Sequence, residues 1–331
     1  MKIITIIGTR PQYIKLKSLY DYFKKNNIDN YIIDTNQHYS ANVSGNIIKD
    51  LELEIDCNLC ISGEDEISFM ANGLCSVHNK LKEICDKDTT ILVMGDTNST
   101  LISSLVAKKM GLRLAHIEAG IRCHDRNRPE ELNRIMVDDL ADIHFTSREK
   151  DKENVANPVH IGDLEYNFLN SIEHNYGSTS YYGAILLTIH RQENMNINNL
   201  SKILNFCRSL KSPILFPIHH RTSNFIKNNN MSIPDNIKVI NPVSYMDMIS
   251  LMRGCKGIIS DSGGVTKTAP FFGKKCIIPL YQVEWSEVIE KRYAINYLNK
   301  HWFDDYRIER NMNLYYVKNS CEKIVNKILE K

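Results

Sequence analysis

The sequence predicts an α/β protein of two Rossmann-like domains, each a parallel sheet covered by helices, with a cleft between them. Three observations predict it. Short β-branched runs that are apolar on both faces alternate with longer helical patterns, as in parallel strands buried on each side. The series pauses around a polar, glycine-bearing stretch at 166–183 and then begins again. The 331 residues also exceed what one hydrophobic core usually serves.

In the first series the strand candidates are Ile3–Ile7, Tyr31–Asp34, Thr90–Met94, Arg113–Ile117 and Ile143–Phe145. In the second they are Ala184–Thr188, Ile214–Ile218, Ile237–Ile240, Gly257–Ile259 and Cys276–Pro279. Such alternation argues for βαβ units and doubly wound sheets. The expected domains are 1–166, carrying acid/base residues, and 167–331, binding nucleotide. A final helix from Ser320 to Glu330 places Cys321, Ile324, Ile328 and Leu329 on one face, so it should pack on a domain, with a return to the N-terminal one open to it.

Bulk properties remove several classes. A net charge of +2 leaves no broad basic face, so nucleic acid is not an expected partner. No apolar run reaches the length of a membrane span, and the start is too short and wrongly flanked for a signal peptide. Nine cysteines, scattered and odd in number, fit reduced thiols in the cytoplasm. Cys57-x-x-Cys60 and Cys75-x-x-His78 have zinc-ligand types, but the second pair falls in a predicted helix (Ile67 to Glu83) and neither encloses a knuckle glycine. Ordinary thiols are therefore expected, and no metal.

Chemistry concentrates at strand exits, where open α/β sheets place their sites. Asp96 ends one strand. The segment from His116 to Arg134 follows the next, with four acids, among them Glu118 and Glu130, and four arginines, among them Arg134. Arg10 and Lys15 stand at a helix start, where two cations are unfavourable unless an anion or nearby acids answer them. His190, Arg191 and His219 follow strands of the second half and suit proton transfer or phosphate contact, or a structural role. Ser262-Gly263-Gly264 opens a helix and can cradle a phosphate, or serve as a turn and cap. Neither half has a dinucleotide fingerprint or P-loop after its first strand, so no redox cofactor is expected.

Together these segments resemble the non-hydrolysing UDP-N-acetylglucosamine 2-epimerase family. The matching pieces run in family order over nearly the whole chain: Gly8-Thr9-Arg10-Pro11 with Lys15, Gln37-His38, Gly95-Asp96-Thr97, His116-Ile117-Glu118-Ala119-Gly120 and Pro129-Glu130-Glu131-x-Asn133-Arg134. They continue through His190-Arg191-x-Glu193-Asn194, Pro217-x-His219 and Asp261-Ser262-Gly263-Gly264. The resemblance implies a GT-B-like fold, no cofactor, a homodimer, and a cytoplasmic enzyme making cell-envelope precursors. It implies inversion at C2 of a nucleotide-linked 2-acetamido sugar, with Asp96, Glu118, Glu130 and His219 catalytic. Arg10, Lys15, Arg134, His190, Arg191, Ser262, Gly263 and Gly264 would bind the nucleotide sugar.

The departures lie mainly in the second half. Thr266 and Thr268 stand where the family has Gln or Glu and an acid placed for the ribose hydroxyls. Leu280-Tyr281-Gln282-Val283-Glu284 replaces an arginine-led stretch, and Asn36 replaces a glycine before Gln37-His38. These changes point to a modified sugar or a nucleotide other than uridine. Two alternatives stay open: a hydrolysing epimerase releasing free sugar, and a GT-B glycosyltransferase. A glycosyltransferase would not need three clustered carboxylates, and a catalytically dead sensor would not need to retain them.

Overall fold

The computed structural model describes residues 2–37, 47–173, 183–280, 283, 285–304 and 308–330. His38, Tyr281, Gln282, Glu284 and half of the polar connector (174–182) lie outside the described residues. The chain forms two compact units, one of Met1–Ser171 with Tyr315–Lys331 and one of Ile172–Leu314.

The first unit runs β1 (Ile3–Ile7), α1 (Arg10–Lys25), β2 (Asn30–Asp34), β3 (Cys57–Asn58), α2 (Glu66–Ile84), β4 (Thr90–Met94) and α3 (Asn98–Lys109). It continues β5 (Arg113–Ala119), α4 (Pro129–Leu140), β6 (Ile143–Thr146), β7 (Pro158–His160) and α5 (Leu164–Ser171). Its strands form one parallel sheet in the order β3-β2-β1-β4-β5-β6-β7. Every residue of β1 and β4 is buried, which is why their sequences show no polar alternation.

The second unit contains β8 (Ile185–Thr188), α6 (Ile197–Arg208), β9 (Ile214–Pro217), α7 (His220–Asn228), β10 (Ile237–Ile240) and α8 (Tyr245–Gly254). There follow β11 (Gly257–Ser260), α9 (Gly263–Thr268), β12 (Cys276–Ile277), α10 (Glu287–Glu290) and β13 (Ala294–Ile295). Its sheet order is β10-β9-β8-β11-β12-β13. In each sheet the direction of winding reverses once, between β1 and β4 and between β8 and β11. The crevice outside the carboxyl ends of such strand pairs is where doubly wound folds bind ligands.

Two details differ from expectation. A division after Tyr166 would cut α5, which packs on α1, and the wholly buried Tyr166 ring meets Tyr315 edge-on at 5.3 Å. The last helix, α11 (Ser320–Leu329), buries Ile324, Val325 and Ile328 but leaves Leu329 47% exposed, so Val325 takes the place expected of Leu329. It is held to the first unit by Ser320, which donates to the Ile161 carbonyl, and by Arg113 Nη1, which donates to the carbonyls of Ile328 (2.6 Å) and Glu330 (2.7 Å). Among the described residues no group of His, Cys, Asp and Glu could hold a metal; Cys60, Cys75 and His78 are exposed.

Candidate functional site

In the first unit the site begins with a buried amide. Gln12 Oε1 accepts the backbone N–H groups of Gly8 (2.8 Å) and Thr9 (3.0 Å), while Nε2 donates to the Met94 carbonyl (2.7 Å) and the Thr100 hydroxyl (3.0 Å). One side chain thus ties the exit of β1 to the exit of β4. Gly8 permits this approach, because a Cβ there would run into Thr35 Oγ1 and Ser99 Oγ. Sequence reasoning missed Gln12. Its signal was an amide in the first turn of a helix, next to a Thr-Arg-Pro start.

Beyond Gly95, Asp96 is paired with Arg134, which also lies 3.5 Å from Glu131. Asn133 Nδ2 donates to the Asp96 carbonyl at 3.0 Å, fixing the backbone of the same turn. On β5, Glu118 sits at a register shift with φ +70°, a left-handed conformation uncommon for a non-glycine residue. That bulge re-aims its carboxylate, which is paired with the ammonium of Lys15. A Cβ at Gly95 would stand only 3.3 Å from Glu118 Oε2, so the two strand exits lie side by side.

The structure therefore brings together Lys15, Asp96, Glu118 and Arg134. Lys15 is answered by an acid, which meets the dipole objection to two cations at this helix start. Arg10 is half-buried at the first position of α1. The neighbours Glu130 and Glu131 separate sharply: Glu130 is exposed, whereas Glu131 is 1% exposed and accepts the N–H groups of Cys123 (2.9 Å) and His124 (3.0 Å). Burial opposes its charge, but those amides and Arg134 outweigh it and hold Glu131 below the ordinary carboxylate range. Glu131, Arg134 and Asp138 follow one another at helical spacing on the buried face of α4, a polar stripe where apolar residues are usual.

The second unit has its own centre, which sequence reasoning quoted without assigning a role. Asp261, 1% exposed at the exit of β11, accepts the backbone N–H groups of His190 and Arg191 (3.0 Å each) and Asn194 Nδ2 (2.9 Å). It also lies 3.3 Å from His190 Nδ1. The two exits flanking the reversal of this sheet are thereby joined. The His190 and His219 rings stand 6.0 Å apart, and His219 Nδ1 accepts the Arg221 N–H at the start of α7. Arg191, Asp261, Gly263, Thr266, Leu280 and Trp285 line a small pocket beside this turn. Ser262 and Gly263 are half-buried and Gly264 is exposed, so their backbone can be approached. Thr268 is wholly buried, and the buried Lys267 holds its ammonium 5.0 Å over the Trp285 ring.

Comparison with known proteins gives these residues a context. The sequence profile of the family described as UDP-N-acetylglucosamine 2-epimerase matches residues 21–329. A UDP-N-acetylglucosamine 2-epimerase homolog of Methanococcus maripaludis is 34% identical, over 87% of this chain and 86% of the relative. The UDP-2,3-diacetamido-2,3-dideoxy-D-glucuronate 2-epimerase of Pseudomonas aeruginosa is 33% identical, with the same coverage, 87% and 86%. Among solved structures, Methanocaldococcus jannaschii UDP-GlcNAc 2-epimerase, in complex with UDP-GlcNAc and UDP, superposes with a TM-score of 0.86 at 29% identity, covering 99% of both chains. The architecture of two Rossmann-like units is GT-B-like.

Proposed function

Because the chain belongs to the UDP-N-acetylglucosamine 2-epimerase family and is a nucleotide-sugar 2-epimerase, we propose that it inverts C2 of its 2-acetamido sugar by eliminating and re-adding the nucleotide. One observation carries this reading: two carboxylates, Glu118 and Asp96, leave adjacent strands, each on its own cation.

In the elimination, a base takes the C2 proton, the C1–O bond breaks, a C1=C2 bond forms and the nucleoside diphosphate leaves. In the return, C2 is protonated on the opposite face and the diphosphate oxygen attacks C1. Carboxylates on two faces of the sugar are needed, and Asp96, Glu118 and Glu130 are the candidates. A cation beside a carboxylate favours its ionised form, which suits Glu118 and Asp96 to accept protons. Glu130, exposed at the start of α4, is the third candidate. Arg10, His190, Arg191, His219 and the Ser262-Gly263-Gly264 turn are proposed to bind the diphosphate. That group gains charge as the bond breaks, so these contacts favour catalysis as well as binding.

Thr266, Thr268 and Leu280 favour a substrate other than plain UDP-N-acetylglucosamine. The name of the Pseudomonas relative suggests a diacetamido uronic acid form for the test panel. We also propose a cytoplasmic homodimer; no helix among the described residues is long and apolar enough to cross a membrane.

The test is incubation with candidate nucleotide sugars in D2O, following C2 by NMR. Deuterium at C2 with intact nucleotide sugar supports elimination and re-addition. Free nucleotide with free sugar would instead support the hydrolysing alternative. Transfer to an acceptor without C2 exchange would support a glycosyltransferase.

A further inference from the structure

One buried polar pair in the first unit is not used by the chemistry above. His116, 0% exposed on β5, stands two residues before Glu118. Its Nε2 lies 2.8 Å from the Gly95 carbonyl, which can only accept, so Nε2 donates. Its Nδ1 lies 2.7 Å from Asp138 Oδ1, and Asp138 is 5% exposed on α4. The other oxygen of Asp138 accepts the Gly120 N–H (3.0 Å) and Arg122 Nη1 (2.6 Å). The pair therefore runs from the carbonyl just before Asp96 to the amide two residues after Glu118.

Burying an imidazole and a carboxylate is costly unless their polar atoms are partnered. Here both ring nitrogens and both carboxylate oxygens are partnered, and the backbone partners belong to the two acid-bearing turns. We propose that His116 and Asp138 are positioning residues, a clasp that sets how the Asp96 and Glu118 turns stand to one another. The proposal rests on the acid/base reading of those two carboxylates. Burial opposes the charge of Asp138, but His116 and Arg122 outweigh it and hold its carboxyl below the ordinary range, so it stays an acceptor near neutral pH.

Two substitutions divide the clasp. A glutamine can reproduce the donor at Nε2 toward Gly95, whereas an asparagine reproduces the donor toward Asp138 and loses Gly95. With H116N, amide hydrogen exchange should quicken in peptides spanning residues 95–99 and 117–121 and stay unchanged in the rest of β4 and β5. For a misplacement of catalytic groups, kcat should fall by up to about 10²-fold, with UDP affinity held within about twofold. H116Q, which keeps the Gly95 bond and loses the one to Asp138, should leave 95–99 near wild type, loosen 117–121 and still lower kcat, and D138N should loosen the 117–121 turn first.

Unchanged local exchange in folded H116N or D138N overturns the clasp, whatever the substrate. So does loosened exchange with kcat within about twofold of wild type while D96N is inactive. If neither variant folds, H116Q decides: a wild-type 117–121 turn without the Asp138 bond overturns the proposal. Wild-type turnover in D96N would instead sink the acid/base reading, leaving exchange to judge the clasp.

Discussion

The ammonium of Lys15 rests on Oε2 of Glu118, although the two residues are 103 positions apart. This pairing favours a role for Lys15 in the proton chemistry over the diphosphate contact expected of it. Lys15→Met should lower kcat by about 10²-fold or more while changing UDP affinity much less, since one acid–base group contributes on that scale. Steady-state kinetics and calorimetric titration with UDP measure both quantities. A large loss of affinity at unchanged kcat would return Lys15 to the phosphates.

The neighbours Glu130 and Glu131 should behave oppositely. Glu131→Gln weakens two backbone N–H bonds in a buried place and should cost about 1–3 kcal/mol, read as a lower melting temperature. Glu130→Gln should leave melting unchanged and depress turnover. The reverse pattern would exchange their roles.

In the second unit, Asp261→Asn should release the turn at His190 and Arg191. The expected effects are a stability loss of about 1–3 kcal/mol and weaker UDP binding. Thermal unfolding with and without UDP shows both; a variant binding UDP like wild type would detach this turn from nucleotide recognition.

Acid should weaken the first unit. Asp138 and Glu131 have folded pKa values below their ordinary 3.8 and 4.5. Their contribution is present above those ordinary values and is lost as pH falls through the depressed folded ones. Asp34 acts with the opposite sign. Burial raises its pKa above 3.8 despite bonds from Asn36 and Tyr13, so its contribution is present at lower pH and lost as pH rises through the raised value. Urea unfolding across the acid range should show net loss toward low pH, flattened in Asp138→Asn. An unchanged acid slope in that variant would contradict the assignment.

Arg113→Ala should free the end of α11. Two charge-assisted bonds to its last carbonyls are lost, about 1–3 kcal/mol locally, so limited proteolysis should reach 320–330 sooner. Unaltered cleavage kinetics would show that apolar packing of Ile324, Val325 and Ile328 suffices.

Among the described residues, the nine strands of four or more residues were legible because residues buried on both faces leave mostly uninterrupted apolar runs, as in Ile3–Ile7 and Thr90–Met94; β12, also expected, is only Cys276–Ile277 but lies inside its sheet and keeps an apolar run. The edge strands Cys57–Asn58, Pro158–His160 and Ala294–Ile295 were not, being two or three residues long at the sheet edges. Asp96 and Glu118 could be picked out as acids at strand exits. Their cations could not be paired with them, because the match depends on sheet order β1-β4-β5 and on the bulge at Glu118. Gln12 and Asp138 escaped notice since a buried polar side chain looks in sequence like any surface one. Leu329 was misplaced because helical spacing alone cannot distinguish it from Val325 at the core boundary.

The return of Tyr315–Lys331 to the first unit bears on synthesis. A ribosome finishes the first unit's sheet early, yet the helix that covers part of it emerges only after all of the second unit has been made. Until then the groove for Ile324, Val325 and Ile328 stands open, and the nascent first unit is an apolar surface awaiting its own tail. A folding helper, or rapid folding of the second unit, would shorten that exposure, and loss of residues 315–330 would weaken a unit whose other residues all precede the second one.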